Sequence, residues 1–156
     1  MRKCLPIVLL CAAPLWAQKY SGPLPPKPDL PYLIHADNLV PTESAQASEE
    51  EHKGEVIYVI QGANSTARTP LAQPAFLIQT NQLQADHLQL FRLESKGGQR
   101  EVLFARKKKQ VARPIRLNVT RLGENLYKLE VDEVLDNGEY SLTPSDSNQV
   151  FCFQVY

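Results

Sequence analysis

From Glu55 onward, apolar residues recur in short runs broken by polar turns, and most runs have a period of two. That is the pattern of half-buried strands, because successive side chains on a strand point to opposite faces. Glu55–Ile60 is apolar on both faces and β-branched, as in a deeply buried strand. Phe76 with Ile78, Phe91 with Leu93, and Val102 with Phe104 each form a one-sided pair. Lys96-Gly97-Gly98-Gln99 between the last two runs predicts a hairpin turn. Residues 115–122 alternate strictly, with Ile115, Leu117 and Val119 inward. Tyr127, Leu129 and Val131 follow beyond a turn at Gly123-Glu124-Asn125. Tyr140 with Leu142, a turn at residues 144–148, and Phe151, Phe153 and Val155 complete the pattern. No long amphipathic helix appears, and residues 81–87 have room for a single helical turn. The expectation is an all-β antiparallel sandwich of about 7–8 strands.

The N-terminal third reads differently. Tyr32–His35 is a short strand candidate. Before it, residues 18–31 carry five prolines between Pro23 and Pro31. Proline fixes φ and lacks a backbone donor, so this stretch is expected to be an extended spacer or to lie along a sheet edge. Residues 41–54 are polar with no apolar stripe and predict a mobile excursion.

Met1-Arg2-Lys3 is a cationic start followed by an apolar run, Cys4–Ala13, and a small residue, Ala17, before polar Gln18. That order is the signature of a secretory signal peptide over residues 1–17. The run is too short to span a bilayer as a helix. Leu10 is bulky for a lipid-attachment site at Cys11, which argues against lipidation. Cleavage after Ala17 takes 17 of the 156 residues and leaves 139, organised as a Pro-rich segment (18–31) and one domain (32–156). Lysines and arginines number 17 against 17 acidic residues, and the leader takes two of the cations, for a mature balance of −2. That balance argues against a dedicated nucleic-acid binder. Cys152 is the one cysteine left, so a hydrophobic core rather than an internal disulfide has to hold the mature chain.

Asp136-Asn137-Gly138-Glu139-Tyr140-Ser141-Leu142 resembles the Asp-x-Gly-x-Tyr-x-Cys stretch of immunoglobulin-type domains. The resemblance covers about the last 30 residues and implies an immunoglobulin-like sandwich, with Asp136, Gly138 and Tyr140 forming a structural tyrosine corner. Leu142 stands where that family has its disulfide cysteine. Over its whole length the chain also resembles a family of small exported bacterial proteins of unknown function. The shared features are Pro25–Tyr32, His35-Ala36-Asp37-Asn38-Leu39 and Phe151-Cys152-Phe153. That second resemblance implies no activity.

Catalytic signatures are missing: there is no Gly-x-Ser-x-Gly, no phosphate-cradling glycine loop, no His-Glu-x-x-His and no Cys-x-x-Cys. His35, His52 and His87 lie too far apart in sequence to suggest a metal site. His35 and Asp37 are expected to form a hydrogen-bonded structural pair, and Asp86-His87 to face solvent. Cys152 is out of phase with Phe151 and Phe153, which makes it either a small half-buried residue or a candidate intermolecular thiol.

Charge is unevenly placed. Residues 100–116 carry a local +6 and residues 37–55 a local −5. Arg106, Lys107, Lys108 and Lys109 fall between two strands and form the candidate contact for an envelope polyanion or protein partner. The alternative is a solvated loop that discourages edge-to-edge aggregation. The expected function is an exported, non-enzymatic accessory or binding module of the cell envelope (periplasm, cell surface or secreted), with no cofactor. A structural subunit of an extracytoplasmic assembly is the alternative, and a hydrolase or other enzyme comes third.

Overall fold

The computed structural model describes residues 19–104 and 112–156. The first half contributes β1 (Tyr32–His35), β2 (Asn38–Pro41), β3 (Glu43–Gln46), β4 (Ser48–His52), β5 (Glu55–Gln61), β6 (Arg68–Thr69) and β7 (Ala75–Gln79). The second half contributes β8 (Leu88–Lys96), β9 (Gln99–Phe104), β10 (Leu117–Arg121), β11 (Leu126–Val131), β12 (Gly138–Pro144) and β13 (Gln149–Val155). A single 3₁₀ turn at Ala85–His87 is the helical element among the described residues.

The strands form two sheets, β10-β11-β7-β1-β2 and β3-β13-β12-β8-β9-β5-β4. Pairing is antiparallel except where β6 lies parallel to β13. The fold is therefore the expected antiparallel all-β sandwich, divided into more strands than the apolar pattern marks.

The extra strands come mainly from residues 38–52. Instead of a mobile excursion, residues 41–54 supply β3, β4 and their hairpin to β5. They show no apolar run because their inward positions are Glu43, Ala45, Ala47 and Glu49, small or acidic throughout.

These two strands also close the larger sheet. Gln46, the last residue of β3, pairs with Gln149 on β13, and Ser48, the first of β4, pairs with Val59 on β5. Only Ala47 separates them, and its N–H donates to the Asn148 carbonyl at 2.8 Å. The two ends of the sheet order are thus one continuous strand that changes partner at Ala47. The sheet rolls into a ring of β3/β4, β13, β12, β8, β9 and β5. Closure removes the exposed edges an open sheet would leave.

Two cores follow from this geometry. Leu33, Phe76, Ile78, Leu129 and Val131 of the smaller sheet pack on Leu88, Leu90, Tyr140, Leu142, Phe151 and Phe153 of β8, β12 and β13. Phe76 meets Phe153 edge to face, with ring centroids 5.0 Å apart. The opposite faces of β8, β12 and β13 point into the ring, where Phe91, Leu93, Val150 and Cys152 pack with Ala47, Ile60 and Val102. A ring of about eight strands has an interior just wide enough for side chains to fill, so this narrower one needs small residues opposite large ones. Ala45, Ala47 and Ser141 make room for Tyr58 and Phe91. β12 and β13 are buried on both faces, which explains their unbroken burial from Glu139 to Leu142 and from Val150 to Phe153.

The Pro-rich segment is docked at its C-terminal end. Pro25 is buried, Leu30 packs against the first core, and the Asp29 N–H donates to the Gln79 carbonyl at 2.8 Å. β10, expected to point Val119 inward, is instead the solvent-facing edge of the smaller sheet, with Val119 38% exposed.

Candidate functional site

One end of the barrel is closed by a buried ion-pair network. Arg100 on β9 is 1% exposed and shares the inward face of its strand with Val102. Its Nη2 lies 2.6 Å from Glu43 Oε1 and also donates to the Gln61 carbonyl at 2.8 Å. Nε donates to the Gly62 carbonyl at 2.9 Å, and Nη1 to Ser65 Oγ at 2.7 Å. Ser65 passes the chain of bonds on, donating through its backbone N–H and its hydroxyl to Glu139 Oε2. Glu139 is 4% exposed, and its Oε1 has no hydrogen-bond partner among the described residues. The planar guanidinium suits this place, since its fork can satisfy several fixed acceptors at once. Arg100 therefore belongs to the interior and not to the solvated cationic cluster that its sequence position suggested. Glu43, counted with the acidic segment, is the residue that reaches it.

Cys152 lies between this stopper and the apolar middle of the barrel. It is 0% exposed, and burial, only partly offset by Arg100, pushes its thiol up to about 12. A thiol held protonated in a packed interior is a poor nucleophile. For Cys152 to bridge to a second chain, β13 would have to leave the barrel.

The opposite end is open. There a pocket of about 300 Å³ is lined by Glu49, Val56, Tyr58, Phe91, Thr143 and Asp146, among others. Beneath it an apolar throat of about 50 Å³ shares Tyr58, Phe91 and Thr143 and runs down to Ala47, Ile60, Val102 and Val150. The rim is fixed on two sides. Tyr58 Oη donates to Glu49 Oε2 at 3.3 Å, and Ser145 donates through both N and Oγ to the His87 carbonyl at 3.0 Å. The six-stranded closure that creates this mouth is not visible in apolar periodicity; the one sequence signal for it is the alternation Glu43, Ala45, Ala47, Glu49.

Asp136, Gly138 and Tyr140, the expected corner residues, lie together at the edge of the first core. Tyr140 Oη donates to the Asp136 carbonyl at 2.8 Å, and its ring stacks on Phe153 at 5.6 Å. Burial raises its hydroxyl above the ordinary tyrosine value despite the nearby Arg92 guanidinium. Gly138 leaves space for that guanidinium: a Cβ there would lie 3.4 Å from Arg92 Nη2. Arg92 in turn pairs with Asp136 at 3.2 Å.

The other sequence candidates do not assemble into a site. His35 Nε2 pairs with Thr69 Oγ1 at 2.9 Å, while Asp37 is exposed in the turn joining β1 to β2. The expected His35–Asp37 pairing is replaced by this contact, because the turn after His35 carries Asp37 away. Among the described residues, no group of three or more His, Cys, Asp or Glu could hold a metal ion. No helix among them is long and apolar enough to cross a membrane. The expected leader (1–17) and the contact candidates Arg106, Lys107, Lys108 and Lys109 lie outside the described residues.

Comparison with protein-family models, with curated proteins and with solved structures finds no match to this chain.

Proposed function

We propose that this chain is an exported, non-enzymatic binding module of the cell envelope, built on an immunoglobulin-like sandwich, that engages an envelope polyanion through Arg106–Lys109. The observation that carries this reading is the fate of the neighbouring charges. Of the basic residues at 100–116, Arg100 is consumed inside the barrel by Glu43 and Glu139, and Arg116 pairs with Asp132 at 3.7 Å. Arg100 thereby serves the fold, while Arg113 and Arg116 stay exposed beside the candidate contact, the run Arg106–Lys109 that the sequence places between β9 and β10. A compact cationic run attracts phosphorylated glycans or anionic headgroups over about a Debye length, ~8–10 Å at physiological salt. The Tyr140–Asp136 contact supports the immunoglobulin-like part of the reading.

Cell fractionation with mass spectrometry of the N-terminus tests export. A chain beginning at Gln18 in the envelope fraction is expected; a full-length chain in the cytosol would overturn the reading.

A further inference from the structure

We propose that the open end of the barrel is a second binding site, separate from the cationic run, and that it takes a short-chain primary alkylammonium ion. Of the side chains lining the mouth, Glu49 and Asp146 are the charged ones, and both are acidic. Glu51, two positions from Glu49 and so on the same face of β4, sits in register with Val56, which also lines the mouth. A cation is therefore the favoured charge at the entrance.

Below the carboxylates the walls become aromatic and then aliphatic. Tyr58 and Phe91 stand at the junction of mouth and throat, where ring faces attract an ammonium group and also accept an alkyl chain. The throat selects by size. At about 50 Å³ it is well below the roughly 150 Å³ at which an apolar cavity takes up benzene, so it admits the end of an alkyl chain and excludes a ring. The mouth above it, at about 300 Å³, matches the lower end of small-molecule sites. A charged head at the rim with a thin apolar tail pointing toward Phe91 is the ligand shape these two volumes describe. The rim is also preorganised, by the Tyr58–Glu49 bond and by the two Ser145 bonds that pin the β12–β13 turn.

The test is a titration of the ¹⁵N-labelled exported chain with n-butylammonium chloride, followed by amide chemical shifts. n-Butanol and sodium butyrate serve as neutral and anionic probes of the same length. Saturable shifts at Tyr58, Phe91, Thr143 and Asp146 are expected with butylammonium, and weaker ones with butanol. Glu49→Gln and Asp146→Asn together should weaken butylammonium roughly tenfold without moving the butanol response, a loss in the range of a cation's attraction to nearby charge and ring faces. Asparagine tolerates the left-handed backbone at Asp146 (φ 59°), so that variant keeps the turn. Butanol or butyrate binding as well as butylammonium would overturn the ligand class, and no saturable shift at the mouth with any probe would overturn the site. Neither result bears on the polyanion contact, whose probe and residues are different.

Discussion

Arg100 Nη2 lies 2.6 Å from Glu43 Oε1, and this contact ties β9 to β3 across the closed end of the barrel. The two residues are 57 positions apart and belong to segments of opposite charge. Removing the cation would leave the buried Glu139 carboxylate uncompensated and the partly exposed Glu43 without its partner. Arg100→Met should therefore destabilise the fold by roughly 3–5 kcal/mol, the usual result of breaking a buried pair by removing one partner. Chemical denaturation measures it, and a loss below about 1 kcal/mol would show that the closed end does not depend on this pair.

Tyr140 offers a gentler change. Tyr140→Phe removes the bond to the Asp136 carbonyl and leaves the ring stacked on Phe153. A loss of about 1 kcal/mol is expected in the same denaturation assay. No measurable loss would remove the energetic case for a tyrosine corner.

Cys152 should be silent toward thiol reagents in the folded protein. With its thiol raised to about 12 and no exposure, labelling at pH 8 is expected to proceed only as fast as the barrel opens. Adding denaturant should release it at once. Rapid labelling of the native chain, or a disulfide dimer that reductant dissolves, would contradict its place inside the barrel.

Asp29 supplies a pH dependence. Burial alone would raise its carboxyl, but the backbone N–H groups of Asn81, Leu83 and Gln82 together hold it below the ordinary carboxylate value. A carboxyl depressed in the folded state stabilises the fold above its unfolded value, and this contribution is lost as pH falls through the folded one. Asp29→Asn tolerates the left-handed φ of 56° and removes the charge together with one of the two acceptor oxygens. The variant should be less stable than the parent at pH 7, and the gap should close on acidification below about pH 4. A gap independent of pH would mean that the three N–H groups do not depend on the ionised carboxyl.

The sandwich was legible in the sequence because its core strands obey simple rules. Phe76 with Ile78, Leu129 with Val131, and Phe151 with Phe153 alternate as expected and do meet in the first core. Gly97 and Gly98, at φ 60° and 81°, make the predicted hairpin turn between β8 and β9. The barrel was not legible. Its closing strand exposes no hydrophobic signal, since the inward positions Ala45 and Ala47 must be small to fit opposite Phe91 and Tyr58. Charge misled for a related reason. Arg100 and Glu43 look like surface residues in any local window, and only the register of β9 and β3 against their neighbours brings them together. The phase of Cys152 pointed away from the aromatic core, as found, but nothing local could show that a second core lay on that side.

The central claim, binding to the envelope through the cationic run, is tested most directly by co-sedimentation of residues 18–156 with a purified envelope fraction at low and high salt. The account predicts pelleting at low salt, release at high salt, and loss of pelleting when Lys107, Lys108 and Lys109 are all replaced by Ser. A chain that stays in the supernatant at both salts, or a triple variant that pellets like the parent, would contradict it.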